Sequence, residues 1–533
     1  MSERHGQSRS TMALRAIAIA LVAVATLAIL STARVFSGTV DEPAHLAAGM
    51  QWLTTGEYTY DLQHPPLARA AIALGPYLHG ARTTGAPNVY DEGAAILGVG
   101  QHYVDTLASA RHGTIWFFLI LAFVVWLWAR RLTGEVGATI AVLLVVTNSN
   151  LLAHAGLATT DMGCAAMTML ALYAAVWWLD DVSWLRSIAF GVAIGLAISS
   201  RLSALAFVGA PLVLCYVLRG WASRRWAFSE RVPVPQTLAR LVAAGVVAIV
   251  VVFATYRFSP RPFIAGLETF FAHSSGGHPT FLLGKPSNRG WWYYFPIALL
   301  VKTPLPLMIL SLLGAVDAIQ RFVRERDWTG MVPLASAAAI LAVSMTVRVD
   351  LGVRLVLPIY PLLAIMGGQG AMRLLGATTN NAKTLIAGGL CAAAAMIAIA
   401  ANPDHLSYFN IFAGEHPEHV LVDSNLDWGQ DLYRLRDTLA ARGIRDSVKI
   451  AYFGTADVTA AGVPNARLLG LHEHATGWIA ASETYLAGEW VGHAYQWLLA
   501  YPAVARIGPS MRLWYIPGPM HPTTTDSLRR SGQ

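Results

Sequence analysis

Long apolar stretches run through the first 401 residues and constrain the fold more than any other feature. About 20 apolar residues are enough for an α-helix to cross the hydrocarbon core of a bilayer. Together with 55% hydrophobic and only 13% charged residues, these stretches predict a polytopic α-helical membrane protein. We count about eleven spans, at residues 13–34, 113–129, 135–153, 162–179, 186–200, 203–218, 239–256, 291–314, 329–347, 352–368 and 384–401.

Lys and Arg residues collect between alternate predicted spans, which gives an expected orientation. Short cytoplasmic loops carry an excess of positive charge, so the arginines before the first span place the N-terminus in the cytoplasm. Basic clusters at 130–131, 219–231, 321–326 and 373–383 then lie on the same side. The net charge of +7 is therefore a topology signal and predicts no nucleic-acid partner. The first span is too long for a typical signal-peptide core, and we expect a retained anchor.

Three polar regions are expected on the extracytoplasmic side. Residues 35–111 form a long first outer loop, and residues 258–290 form a second, shorter one. Residues 402–533 follow the last span and alternate strand-like with helix-like stretches, which is typical of a small α/β domain. The sequence thus predicts a membrane domain at 1–401 and an extracytoplasmic α/β domain at 402–533.

Two segments of the first outer loop repeat apolar residues at helical spacing. This periodicity predicts amphipathic helices that lie on the membrane surface. The apolar positions are Leu46, Met50 and Leu53 in the first segment, and Leu67, Leu74 and Leu78 in the second.

Acidic residues stand at two predicted membrane boundaries. Asp41 and Glu42 lie just beyond the first span, and Asp161 lies at the start of the fourth. Carboxylates near a bilayer are costly and tend to mark chemistry or transport. The alternative is helix capping, since Thr39 to Glu42 fits a capping box and Asp161 fits an N-cap.

Three cations lie in or beside apolar stretches on the predicted outer half. Arg201 runs against the positive-inside trend, and Lys302 is deep enough that an unpaired charge would be costly. A phosphate or an acidic side chain as a partner would explain why cations stand at these positions, which are Arg201, Lys302 and Arg354. The structural alternatives are an interfacial Arg201 that reaches the headgroups and an ion pair between Arg354 and Asp350.

Most of the chemistry-bearing residues fall within an ordered series of short segments that covers nearly the whole chain. With the many spans and the large first outer loop, the series resembles the lipid-carrier-dependent glycosyltransferases of the GT-C superfamily. The nearest resemblance is to bacterial relatives of the protein O-mannosyltransferases and of the lipid A aminoarabinose transferase, in a glycosyltransferase family 39-like group. The segments are DEPAH (41–45), QHPPL (63–67), TD (160–161), GHP (277–279), RGWWYYFP (289–296), VKTP (301–304), LPIYP (357–361) after Arg354, and DSNLDWGQ (423–430).

The resemblance implies sugar transfer from a polyprenyl-phosphate donor to a hydroxyl of a protein, lipid or glycan. It also implies inversion at the anomeric carbon and a site at the extracytoplasmic face of the bacterial inner membrane. Such a reaction needs a base for the acceptor proton and cations for the departing phosphate. We predict Asp41 as the base, Glu42 as the group that orients the acceptor or a neighbouring cation, and Asp161 as a second acid near the donor. Donor phosphate or sugar contacts are predicted for His64, Arg201, His278, Lys302 and Arg354.

Alternatives to this interpretation stay open at the level of sequence. A divalent metal between Asp41 and Asp161 fits the acids, although the chain has no dedicated ligand cluster. Asp423, Asn425 and Asp427 resemble the start of a calcium loop, but the later ligand positions do not match. Asp423, Asp427 and Asp431 are expected instead to cap and line a solvent-facing helix, or to help the C-terminal domain meet the acceptor. A transporter or lipid flippase would also place charges near the membrane, but the chain shows no internal repeat. A structural scaffold has no need for such charges.

Overall fold

Helices form where the sequence is apolar, and Gly, Pro or polar residues separate them. The computed structural model describes residues 2–224, 232–376, 381–463 and 465–518. The helices are α1 (Ser2–Thr32), α2 (Glu42–Thr54), α3 (Pro66–Leu78), α4 (Val89–Leu97), α5 (Gly100–His112), α6 (Ile115–Val146), α7 (Ser149–Ala155), α8 (Asp161–Asp180), α9 (Trp184–Ser200), α10 (Ala204–Ser223), α11 (Val234–Thr255), α12 (Pro260–Gly276), α13 (Tyr294–Lys302), α14 (Leu305–Glu325), α15 (Val332–Ser344), α16 (Ile359–Gly376), α17 (Asn381–Ala401), α18 (Leu432–Ala441) and α19 (Glu483–Leu486).

The predicted spans fall largely on helices, and two places along them are informative. Gly134 has a φ of +74° and divides α6 into two helical segments, because glycine adopts this left-handed conformation without a Cβ clash. The predicted span at 291–314 is two helices, since Thr303 and Pro304 separate α13 from α14. Within the described residues, seven helices are long and apolar enough to cross a membrane, and α9 is among the shorter apolar ones.

The first outer loop contains α2 to α5, so both predicted loop helices are present. The expectation that α2 lies on the membrane is wrong for its apolar side, because Leu46 and Met50 are fully buried within the protein. Leu74 and Leu78 of α3 are exposed, as a helix facing lipid would require. The periodicity thus predicted the helices but not the surroundings of α2.

The strands are β1 (Thr280–Leu282), β2 (Lys285–Ser287), β3 (Val448–Ala451), β4 (Ala466–Leu468), β5 (Gly477–Ser482), β6 (Ala505–Ile507) and β7 (Met511–Ile516). The C-terminal region contains a five-stranded mixed sheet with the strand order β4-β3-β5-β7-β6. β3 pairs in parallel with β4 and β5, and β7 pairs antiparallel with β5 and β6. One of the helix-like stretches expected in this region is α18. Residues 519–533 of the predicted domain and residues 225–231 of the predicted basic loop lie outside the described residues.

The first outer loop and the C-terminal region share one hydrophobic core. Leu46 and Met50 of α2 belong to the same buried cluster as Leu107 of α5, Leu435 of α18 and Met511 of β7. A second, larger cluster joins the membrane helices to one another. The C-terminal region and the helix that begins beside Asp41 therefore contribute to one continuous core.

Candidate active site

The C-terminal segment 423–430 holds the backbone just before Asp41. The N–H of Val40 donates to the carbonyl of Trp428 at 3.1 Å, and the N–H of Ser37 donates to the carbonyl of Gln430 at 3.0 Å. The hydroxyl of Thr455 donates to the carbonyl of Val40 at 2.8 Å. These bonds fix the position from which Asp41 enters the site.

The same segment holds the backbone just before Arg354. The hydroxyl of Ser424 donates to the carbonyl of Leu351 at 2.6 Å, and the Val353 N–H donates to Oδ1 of Asn425 at 3.1 Å. Between these two bonds, Gly352 has a φ of +91°, and a Cβ there would lie 2.7 Å from the Ser424 hydroxyl. Glycine is therefore required for this close approach. One short segment thus positions both the acid and the cation.

Asp41 and Arg354 form an ion pair at the centre of the site. Nη1 of Arg354 donates to Oδ2 of Asp41 at 2.6 Å, and the guanidinium lies 4.4 Å from the centre of the Trp428 ring. The Asp41 side chain is 25% exposed and makes no helix-capping hydrogen bond. The ion pair between Arg354 and Asp350 that the sequence left open is not formed, since Arg354 pairs with Asp41 instead.

Asp161 and Arg201 form a second ion pair nearby. Nη1 of Arg201 donates to Oδ1 of Asp161, and Oδ2 of Asp161 lies 3.8 Å from Nδ1 of His154. Asp161 is the first residue of α8, but it makes no capping bond of its own. The helix therefore positions the acid, and the arginine balances its charge.

A cavity of about 1080 Å³ opens between these ion pairs. Asp41, Arg201 and Arg354 line it directly, whereas Asp161 lies behind Arg201. Part of the lining is apolar and comes largely from α10, α12, the end of α15 and the residues that follow it. The apolar contributors include Leu205, Phe207, Phe270, Phe271, Val343 and Val347.

His64 and His278, both predicted from the sequence, also line this cavity. Burial lowers the pKa of His64 well below its usual range, and the nearby guanidinium groups of Arg69 and Arg201 lower it further. His64 is thus neutral at pH 7. Nδ1 of His278 lies 2.8 Å from the carbonyl of Pro279, which leaves Nε2 for other partners. Both imidazoles can offer a hydrogen bond to a polar ligand.

His45 is a cavity residue that sequence reasoning missed as a site. Nε of the fully buried Arg69 donates to Nδ1 of His45 at 3.1 Å. A guanidinium only donates, so Nδ1 accepts and the ring proton lies on Nε2. Arg69 is held in turn by Tyr58 and Asp61. The sequence signal for this cluster was a charge, Arg69, within the apolar run of α3.

Glu42 lies away from the cavity, so its position fits only one of its two predicted roles: it meets a neighbouring cation, Arg111, and not the acceptor. Its two oxygens accept from Nε and Nη2 of Arg111, each at 2.7 Å, and from the N–H groups of Thr39 and Ala158, each at 2.8 Å. Burial raises the pKa of Glu42, but Arg111 and the two N–H groups outweigh it and hold the pKa below its usual range. The bond to Thr39 is the one that a capping box provides. All the partners of the Glu42 carboxylate named here are therefore groups that hold the fold together.

Lys302 is also absent from the cavity lining, contrary to the predicted donor contact. Its Nζ is fully buried, donates to the carbonyls of Leu406 and Asn425 at 2.8 and 2.7 Å, and lies 4.3 Å from the ring centre of Phe409. Lys302 thus ties the end of α13 to the C-terminal region. A cation this deep needs a partner, and the structure provides two backbone carbonyls in place of the expected phosphate.

The acids of the segment after residue 422 are buried, so their predicted solvent-facing helix is wrong. Asp423 lines the cavity, Asp427 accepts from the N–H of Thr484 at 3.0 Å, and Asp431 accepts from the hydroxyl of Ser510 at 2.7 Å. Burial raises the pKa of Asp427 to about 8, although the Thr484 contacts oppose it. The sequence signal for this site was the DSNLDWGQ motif itself. Because the motif is polar, its sequence favoured an exposed position and did not indicate that it is buried.

The two acids proposed as metal ligands are each balanced by an arginine. Asp41 pairs with Arg354 and Asp161 with Arg201. Among the described residues, no group of three His, Cys, Asp or Glu side chains is arranged to hold a metal ion. The donor set therefore does not fit a resident divalent metal.

Comparison with solved structures defines the class of the fold. The chain matches ArnT from Cupriavidus metallidurans in the apo state with a TM-score of 0.52 and 16% identity, over 93% of this chain and 97% of that one. The same protein bound to undecaprenyl phosphate gives a TM-score of 0.50 and 15% identity over the same shares. These matches confirm the polytopic GT-C fold predicted from the sequence.

A family model covers part of the same architecture. Residues 44–260 match the model of the dolichyl-phosphate-mannose-protein mannosyltransferases. The matched segment contains His64, Asp161 and Arg201 and begins just after Asp41. The search of curated proteins finds no match. The resemblance to GT-C glycosyltransferases that the motifs indicated is confirmed.

Proposed function

We propose that this chain transfers a sugar from a polyprenyl-phosphate donor to a hydroxyl acceptor at the extracytoplasmic membrane face. The observation that carries the proposal is the convergence of Asp41, Arg201 and Arg354 on one cavity that also has an apolar wall. Cations suit a lipid phosphate, and an apolar wall suits its isoprenoid chain. A protein with the same fold, ArnT, has been solved with undecaprenyl phosphate bound.

In the proposed reaction, Asp41 takes up the acceptor proton, and Arg201 and Arg354 balance the charge of the departing phosphate. The acceptor oxygen attacks the anomeric carbon while its proton passes to the Asp41 carboxylate. The bond between that carbon and the phosphate oxygen breaks, and the phosphate leaves as an anion beside Arg201 and Arg354. Attack on the face opposite the phosphate inverts the anomeric configuration. A bound phosphate also competes with Asp41 for Arg354, which leaves the carboxylate free to accept the proton.

The donor phosphate contact is expected to depend on Arg201. Replacing Arg201 alone would leave the Asp161 carboxylate buried and unpaired, so the substitution is best made as Asp161→Asn with Arg201→Gln. A lost charge-assisted hydrogen bond contributes about 1.5–3 kcal/mol, so binding should weaken by about tenfold or more. The measurement is the binding of radiolabelled undecaprenyl phosphate to the purified double variant.

Lys302→Met is the control, because it removes a cation that lies outside the cavity. The Lys302 ammonium contacts two carbonyls outside the cavity, so the variant should unfold at a lower temperature while the affinity for undecaprenyl phosphate stays that of the unchanged protein. Equal weakening in both proteins would contradict the assignment of Arg201. Such a result would also support the predicted contact between Lys302 and the donor.

The proposed activity itself is tested by sugar transfer in lipid nanodiscs. The purified protein is given radiolabelled polyprenyl-phosphate donors of several sugars, together with protein, lipid and glycan acceptors, with and without EDTA. Transfer from at least one donor is the expected result, and it should persist with EDTA because the acids are paired with arginines. No transfer from any donor, combined with protein-dependent movement of labelled lipid across liposomes, would support a flippase instead.

A further inference from the structure

Two residues of the cavity wall have an unusual backbone conformation. Asp423 has a φ of +53° and Trp490 a φ of +68°, in the left-handed region that residues with a Cβ rarely adopt. Both side chains line the cavity, and Nε1 of Trp490 donates to Oδ2 of Asp423 at 3.4 Å. Backbone strain of this kind is costly and clusters at ligand sites. The strain thus points to a role for this pair.

Trp490 presents a fixed aromatic surface to the cavity. Its ring centre lies 4.7 Å from that of His278, edge to face, and 6.0 Å from that of Phe453. Although these contacts hold the ring, Trp490 remains 47% exposed. A large aromatic surface held rigidly in a cavity wall can pack against the apolar face of a ligand.

Asp423 supplies the polar counterpart. The residue is only 4% exposed, and Oδ1 accepts from the N–H of Ser424 at 2.5 Å. The long bond from Trp490 leaves Oδ2 able to accept a shorter hydrogen bond from a ligand hydroxyl. Asp423 is also near enough to interact electrostatically with Arg354 and Asp41. A ligand at Asp423 therefore lies next to the group that would hold the donor phosphate.

We propose that Asp423, Trp490 and His278 form a subsite for a sugar ring. The inference rests on the proposed transferase function and adds the class of ligand that the C-terminal region recognises. A sugar ring has a face of C–H groups that packs on an aromatic surface, and hydroxyl groups that donate to a carboxylate. The ring belongs either to the polyprenyl-phosphate donor or to a glycan acceptor.

Two variants remove the subsite without disturbing its backbone. Trp490→Gly deletes the ring and relieves the positive φ, since glycine adopts it freely. Asp423→Asn removes the charge and keeps the shape, and asparagine tolerates the left-handed conformation. The matched control is Tyr515→Ala, which removes an aromatic ring that is 52% exposed on β7 and outside the cavity lining.

The experiment compares sugar-bearing and sugar-free ligands by native mass spectrometry and saturation-transfer NMR. The lipid probes are undecaprenyl phosphate and its mannose, glucose, galactose and 4-amino-arabinose derivatives. The soluble probes are the methyl glycosides of the same sugars, added with saturating undecaprenyl phosphate. An approximately tenfold loss of affinity for a sugar-bearing lipid in both variants, with unchanged binding of undecaprenyl phosphate, would assign the subsite to the donor.

Loss of a methyl glycoside signal in both variants, with unchanged binding of the sugar-bearing lipids, would assign the subsite to a glycan acceptor. The proposal would be overturned if both variants bound every sugar probe with the affinity of the unchanged protein. It would also be overturned if the unchanged protein bound no methyl glycoside and bound the sugar-bearing lipids no more tightly than undecaprenyl phosphate. Because binding is measured without turnover, a protein that binds sugar here but transfers none would refute only the proposed reaction.

Discussion

Replacing Asp41 by asparagine is expected to lower kcat for sugar transfer by about 10²–10⁴-fold, the usual contribution of a positioned general base. The amide has nearly the same shape as the carboxylate but cannot take the acceptor proton. Donor binding should persist, because Arg201 and Arg354 remain in the cavity and Arg354 is released from its ion pair. The measurement is single-turnover transfer from a saturating donor, beside the donor affinity of the same preparation.

The matched control is Asp105→Asn, which makes the same chemical change at another ion-paired aspartate of the first outer loop. Asp105 pairs with Arg34 at 2.9 Å at the surface and does not line the cavity. Transfer should be unchanged in this variant. If Asp41→Asn retained most of its turnover, Asp41 would be a partner of Arg354 only, and another group would have to accept the proton.

The sequence indicated which charged residues come together at the cavity, but it did not indicate which of them pair with one another. Asp41 and Arg354 are 313 positions apart, yet both were singled out because a charge beside an apolar span needs a reason. The structure brings them to the same cavity as Arg201, His64 and His278. Their mutual pairing could not be predicted, because the depth of a charge shows that a partner is needed but not which residue supplies it.

Lys302 shows why a correct physical premise gave a wrong role. Its depth required a partner, and the structure supplies the backbone carbonyls of Leu406 and Asn425. Every residue carries a carbonyl, so such a partner leaves no pattern in the sequence. A buried ammonium satisfied by backbone therefore looks the same in sequence as one that awaits a phosphate.

The loop helix α2 shows a similar limit for apolar residues. The spacing of Leu46 and Met50 predicted the helix, but lipid and protein core are both apolar surroundings and select the same residues. The structure places both side chains in one buried cluster with residues of the C-terminal region. That packing depends on contacts between segments nearly 400 positions apart, such as the bond from Ser37 to Gly429, which local periodicity does not encode.

The buried pair of Glu42 and Arg111 is expected to give the largest effect on stability. Glu42→Gln or Arg111→Met should each destabilise the fold by about 3–5 kcal/mol, because each leaves an uncompensated charge in the interior. Arg111 also donates to the carbonyls of Ala33, Phe36 and Ser37 at 2.8–2.9 Å. The pair therefore connects the end of α1, the segment before Asp41 and α5. Thermal unfolding of the purified variants in detergent measures the loss.

The double variant separates charge balance from catalysis. With Glu42→Gln and Arg111→Met together, neither charge is left unpaired, so the combined destabilisation should be smaller than the sum of the single losses. Since the folded-state pKa of Glu42 is lowered, the pair stabilises the fold fully above about pH 4.5 and its contribution is lost as the pH falls further. That acid-dependent loss should disappear in Glu42→Gln. A Glu42→Gln protein as stable as the unchanged chain but inactive in transfer would instead give Glu42 a direct part in the reaction, as its place beside Asp41 first indicated.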